Sequence, residues 1–209
     1  MPKPREHTPY HHGDLRAALL AAAAELLDEG GFEAVSVREC ARRAGVSHAA
    51  PYRHFPTKEA LLFALAEEGF SWLADAGDEA MRTIPASRAR DRLDAYGVAY
   101  VRFAIENPAR FRLMFGAALR APVGGEAVKG GRAFTRLREC VQAVVGDVSD
   151  LDAAAAAFWS LPHGIAMLIL DGRIPRERVP DARAAEAFAR ESFAYWRHES
   201  VGTGLAPAR

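Results

Sequence analysis

The sequence is short of cysteine, of any surplus charge and of strand patterning. Only two cysteines, Cys40 and Cys140, occur in 209 residues, 100 positions apart and outside any CxxC spacing. That excludes a disulfide scaffold and a zinc ribbon and fits a reducing, cytoplasmic setting. Lysine and arginine total 27, as do aspartate and glutamate. The chain is therefore not basic throughout, and any nucleic-acid surface must be a local patch. With 26% charged and 50% hydrophobic residues, it is not a disordered polyelectrolyte either. Alternating runs of Val, Ile and Thr closed by Asn-Gly or Asp-Gly are missing, which removes hairpins and sheets. The amino-terminal Met-Pro-Lys-Pro-Arg-Glu-His-Thr-Pro is polar and proline-rich, unlike a signal peptide. One uncharged run, Ala153 to Leu170, reaches 18 residues. Ser160, Pro162, His163 and Gly164 interrupt it, so it reads as a buried helix, and no membrane is expected.

What the sequence has in quantity is helix punctuation. About nine helices are expected, an all-α fold. Residues 1–12 read as a flexible arm carrying Lys3, Arg5, His7, His11 and His12. Asp14 is placed to cap a first helix that Gly30-Gly31 ends. Ser36 and Glu39 have capping-box spacing and open a second helix, stopped at Gly45. Ser47 reads as the cap of a short third helix ending near His54. Pro56-Thr57 starts a long fourth helix to about Thr83, with Thr57 as cap. A helix follows over roughly 88–106, Asn107-Pro108 breaks the chain, a short helix carries Phe111, Leu113, Met114 and Phe115, and further helices cover roughly 132–145, 149–171 and 181–198. Ser149 with Asp152 marks the start of the penultimate one. The glycine-rich stretch 116–131 reads as a mobile loop, and residues 201–209 as a disordered tail. The expected domains are 13–58, a helix-turn-helix, and 59–200.

Between Ser36 and Lys58 the charge is lopsided. Arg38, Arg42, Arg43, Arg53 and Lys58 stand against the single acid Glu39. Such a patch supplies the sequence-independent part of duplex binding. The stretch Val35-Ser36-Val37-Arg38-Glu39-Cys40-Ala41-Arg42-Arg43-Ala44-Gly45-Val46-Ser47, followed by Tyr52-Arg53-His54-Phe55-Pro56-Thr57-Lys58-Glu59-Ala60-Leu61, resembles the DNA-binding module of the tetracycline-repressor (TetR) family. Trp159-x-x-x-His163-Gly164 resembles, over a shorter span, the Trp-His-Gly signature of one carboxy-terminal subclass.

The resemblance implies a helical homodimer with an amino-terminal reader and a carboxy-terminal ligand pocket. By position, Ser47, His48, Ala49 and Ala50 would face base edges. Tyr52 and His54 would hold phosphates, as would Lys58 with the Thr57 cap, and Arg53 belongs to the same patch. Ser36, Val37 and Arg38 would meet the DNA backbone. Pro51 stands where the family usually has a branched apolar residue, which leaves the angle of the reading helix open. Lys3 and Arg5 either enter a minor groove or belong to a plain disordered terminus. His11-His12 lacks further ligands at metal spacing, and no metal or cofactor is expected.

Aromatics and methionine gather after residue 95: Tyr96, Tyr100, Phe103, Phe111, Met114, Phe115, Phe134, Phe158 and Trp159. Each alone reads as core. Together with Pro162, which breaks a helix bond, and the polar His163, they suggest a cavity for a small, largely apolar effector. His163 equally suits a core histidine bonded to a carbonyl. Phe188, Glu191, Tyr195 and Trp196 recur on the last helix, so the dimer face is expected near 150–171 and 181–198. Two readings compete with a ligand-responsive repressor on a palindromic operator. One is a DNA-associated regulator without an effector. The other is a small helical enzyme using His163 with Ser160 or Asp171, for which no catalytic motif is present.

Overall fold

The computed structural model describes residues 15–116 and 131–197. The arm, the Asp14 cap, the stretch 117–130 and the tail lie outside the described residues. Within them the chain forms eight α-helices and one short 3-10 helix, with no strand. The helices are α1 (Leu15–Ala34), α2 (Val37–Arg43), the 3-10 helix (Ala50–Arg53), α3 (Lys58–Met81), α4 (Ala89–Glu106), α5 (Pro108–Phe115), α6 (Gly131–Val145), α7 (Leu151–Leu170) and α8 (Ala182–Trp196).

The caps explain most boundaries. The α1 path breaks at Gly30 and Gly31, where φ of +70° at Gly31 is open to glycine at little steric cost. Ser36 Oγ accepts from Glu39 N at 3.1 Å, Thr57 Oγ1 from Ala60 N at 3.1 Å and Asp181 Oδ1 from Ala184 N at 2.8 Å. Two expected caps differ. α7 is capped by Asp150, which accepts from Ala153 N at 2.9 Å, and not by Ser149. The 3-10 helix has Ala49 as its N-cap and no side-chain cap. Ser47 contributes only its carbonyl, to Ala50 N at 3.1 Å.

α4 is the central post. Val98 to Val101, Phe103 and Ala104 are buried on it because α3, α6, α7 and α8 all pack around it. α6 shows the amphipathic pattern plainly, burying Ala133, Leu137, Cys140 and Val141. α8 buries Ala185, Ala189 and Phe193, one per turn. Asn107 closes α4 by donating Nδ2–H to Phe103 O at 3.0 Å, and Pro108 begins α5 where a missing N–H is harmless.

One apolar cluster runs from Leu19, Leu26 and Val35 through Leu65 and Phe70 of α3 to Tyr100, Phe111, Met114 and Ala166. The apolar core is therefore continuous between the first three helices and those beyond them. α7 departs from expectation. Only Ala155, Pro162, Ile165 and Ala166 of its twenty residues are buried, so it lies on the surface. By length and hydropathy alone it is the one helix among the described residues that could cross a membrane.

Candidate nucleic-acid interface and ligand cavity

The helix-turn-helix is built by a tight turn after α2. Gly45 sits at φ +69°, and Val46 N donates to Ala41 O at 3.0 Å. The chain then enters the 3-10 helix. Pro51 is fully buried there and acts as a core plug, while His54 N and Phe55 N both donate to Pro51 O at 2.9 Å. With Pro51 turned inward, Ser47, His48, Ala49, Tyr52, Arg53 and His54 are exposed. Arg38 and Thr57 are exposed beside them, and Ser36 and Lys58 are half-buried. Two residues expected on this face are not available to it. Val37 is buried in the core, and Ala50 packs against that core half-buried. Both are apolar side chains on the inner side of their helices, a register that motif spacing alone does not resolve.

The basic patch is partly neutralised by α1. Arg43 reaches Glu29 at 2.6 Å, Glu39 at 3.4 Å and Glu25 at 3.6 Å. Arg42 holds Glu39 at 2.7 Å. The Arg42 hydrogen bonds, with Arg43 beside them, bring the Glu39 carboxyl down to about 2. Glu39 therefore faces Arg42 and Arg43, and completes only half of the expected capping box. Lys58 lies 3.9 Å from Glu33 and over the Phe32 ring at 5.6 Å. Over residues 15–58 six bases face five acids. Arg38 and Arg53 are exposed and have no ion pair among the described residues.

The second site is a cavity of about 280 Å3 among α3, α4, α5, α6, α7 and α8. Tyr96, Tyr100, Met114, Phe115, Phe134, Phe158 and Trp159 all line it. Three residues expected there do not. Phe103 and Phe111 are core side chains, and His163 stands behind the wall. Sequence reading missed Phe70, Leu73 and Phe193, which arrive from helices distant in the chain.

The wall has its own polar network. Trp159 Nε1–H donates to Tyr100 Oη at 3.0 Å, and Tyr100 Oη lies 2.7 Å from His163 Nδ1. Tyr96 Oη–H donates to Ala133 O at 2.8 Å. Burial pushes both tyrosine hydroxyls upward and the His163 imidazole downward, so all three are neutral near pH 7. Ser160 Oγ donates to Ala156 O at 2.7 Å, and Asp171 pairs with Arg112 at 3.8 Å. Neither is joined to His163, so no nucleophile–base pair forms around the imidazole. Burial raises the Cys40 thiol to about 11, and no metal-ligating group of three occurs among the described residues.

Wall and reader share structural parts. Phe70 and Leu73 of α3 face the cavity, while Thr57 caps that helix beside the reading turn. α5 carries Met114 and Phe115 into the wall and is bolted to α3 by Arg110. Arg110 is 5% exposed, and its guanidinium lies 2.9 Å from Glu68, 3.3 Å from Leu65 O and 3.9 Å above the Trp72 ring.

An exposed helix-turn-helix joined by one long helix to a helical domain with a cavity defines a two-part DNA-binding regulator. Residues 19–65 match the family described as "Bacterial regulatory proteins, tetR family", and residues 93–192 match "Tetracyclin repressor-like, C-terminal domain". The chain belongs to the TetR family. It is 40% identical over 78 residues to the HTH-type transcriptional regulator EthR of Mycolicibacterium smegmatis, covering 37% of this chain and 36% of that one. It is 34% identical over 100 residues to the HTH-type transcriptional activator FasR of the same organism, covering 48% and 45%. The matched segments thus span less than half of these curated relatives. A solved structure titled as a protein with unknown function from Rhodococcus sp. RHA1 superposes with a TM-score of 0.70 at 36% identity, covering 93% of this chain and all of that one.

Proposed function

We propose that this protein is a dimeric transcriptional repressor whose affinity for a palindromic operator is set by a small, largely apolar effector. The observation that carries the reading is the sharing of α3: one end is capped beside the exposed reading turn and its middle walls the cavity. An occupant that re-seats Phe70 and Leu73 shifts the helix on which the reader rides. Coupling between two such sites is typically ~1–3 kcal/mol.

Ser47, His48 and Ala49 face base edges in this reading. Tyr52, His54, Arg38, Arg53 and the Lys58–Thr57 helix start hold phosphates, with Ser36 beside them. Two readers a groove turn apart, ~34 Å, require a two-fold pair. The open faces of α7 and α8, with Leu168, Tyr195 and Trp196 exposed, suit that pairing. Repression is the family's usual direction, whereas FasR is named an activator.

A gel-shift screen of DNA flanking the protein's own gene, run with sedimentation of the free protein, tests the reading. A retarded duplex with inverted half-sites and a dimer at micromolar concentration are expected. A monomer that binds no duplex at low salt overturns it.

A further inference from the structure

We infer that the cavity's effector is an uncharged aromatic molecule of one or two rings. The inference rests on the reading of this cavity as an effector site.

The walls speak for an aromatic guest. Phe70 and Phe115 meet edge to face at 5.3 Å and 86°, and Phe115 meets Trp159 at 5.7 Å. Tyr96, Tyr100, Phe134, Phe158, Phe193 and Trp196 complete a lining of rings drawn from six helices. A flat guest extends this arrangement with its edges toward ring faces, the geometry in which aromatic quadrupoles attract. The volume, about 280 Å3, falls at the small end of ligand sites. A guest of one or two rings fits within it.

The polar groups speak for neutrality. The Tyr96 hydroxyl hydrogen is committed to Ala133 O, and Tyr100 Oη is held between Trp159 and His163. The charged side chains among the described lining residues are Arg90 and Asp94, and they face each other at 3.4 Å. Arg90 also lies over the rings of Phe158 at 5.3 Å and Trp196 at 5.5 Å. A cationic guest near the Phe158 and Trp196 rings meets faces that Arg90 already covers. An anionic guest must compete with Asp94, which also binds Arg197. A charge carried deeper finds no opposite partner among the described lining residues.

Titration calorimetry on the full-length protein tests this with four probes: naphthol, naphthoate, naphthylmethylammonium and decanol. Naphthol is expected to bind one site per chain and to quench tryptophan emission from Trp159 and Trp196. Both charged isosteres and decanol should bind at least about tenfold more weakly. A charged isostere that binds as tightly as naphthol overturns neutrality. Tighter binding of decanol overturns the aromatic class, and no binding by any probe overturns the inference entirely. Phe158→Ala, a half-buried wall position, should weaken naphthol by about tenfold. Unchanged affinity in that variant places the probe elsewhere and overturns the assignment to this cavity. Operator release is scored separately. Naphthol that binds without altering operator affinity leaves the ligand class standing and removes the effector reading. Release by a different compound, with naphthol silent, does the reverse.

Discussion

Tyr52 is 51% exposed while its neighbour Pro51 is wholly buried, so a single peptide step separates core from reader. The 3-10 helix makes this division: Pro51 is buried on its inner side, whereas Tyr52, Arg53 and His54 are exposed. In the proposed complex the two outward side chains Tyr52 and Arg53 contribute differently. Tyr52 offers a neutral hydroxyl to a phosphate, whereas Arg53 displaces a counterion. Tyr52→Phe should weaken all duplexes alike by about 1 kcal/mol without changing salt dependence. Arg53→Gln should flatten the plot of log affinity against log salt by about 0.9. Binding isotherms at several salt concentrations check both, and an Arg53→Gln slope equal to that of the parent would remove Arg53 from the phosphate surface.

His163 gives a prediction of another kind. Burial lowers its folded-state value below the ordinary 6.5. The unfolded chain therefore takes up the proton first as pH falls. Its stabilising contribution is complete above about pH 6.5 and is lost progressively below, down to the folded value. Urea unfolding at pH 7.5 and 5.5 should show the parent losing more stability than His163→Gln. The difference should stay under ~1.4 kcal/mol per pH unit, the ceiling for one excluded proton. Parallel losses would assign the acid sensitivity to other groups.

Among the elements, α3 and α4 are set at a distance that Gly77 fixes. A Cβ at Gly77 would lie 2.2 Å and 2.4 Å from the Tyr96 ring carbons. Alanine in a helix interior ordinarily gains up to about 1 kcal/mol over glycine. Here the ring is buried and tied to Ala133 O, so it cannot swing clear. Gly77→Ala should therefore destabilise by about 1–3 kcal/mol, as overpacked cores do. A thermal melt of the variant at or above the parent value would contradict this.

The same elements show what a linear reading captures. Helix identities and the Thr57 cap follow from local punctuation, because capping and periodicity act within one turn. The reader's exposed residues follow from motif spacing, except Val37 and Ala50, whose inward register depends on how α2 and the 3-10 helix roll against α1. Phe70, Leu73 and Phe193 escaped notice because the cavity is a tertiary object, and nothing in their sequence neighbourhood distinguishes wall from core. The basic patch was overstated for a related reason. Glu25, Glu29 and Glu33 sit one helix upstream, and only the fold brings them onto Arg43 and Lys58.

At the scale of the whole molecule, the surface of α7 is what a single chain leaves unexplained. A twenty-residue helix rich in alanine and leucine fully buries only four of its residues, with Leu168 47% exposed. Neighbouring α8 adds Tyr195 and Trp196, 55% and 49% exposed. Small side chains such as Ala153, Ala156 and Ala157 on the open side allow another helix to approach closely, and in the proposed dimer an isologous pairing would cover the patch with its own copy. Because Leu168 is already half in water, Leu168→Glu should cost the isolated subunit within about 0.5 kcal/mol. In a two-fold interface the same change appears twice and puts two carboxylates into an apolar seam. Sedimentation should then show dimer passing to monomer at micromolar concentration. Operator affinity should fall by about a hundredfold or more, since each reader loses the local concentration its partner supplies. A Leu168→Glu protein that stays dimeric would move the interface off this end of α7. One that turns monomeric yet binds the operator undiminished would break the link between pairing and recognition on which the two-headed geometry depends.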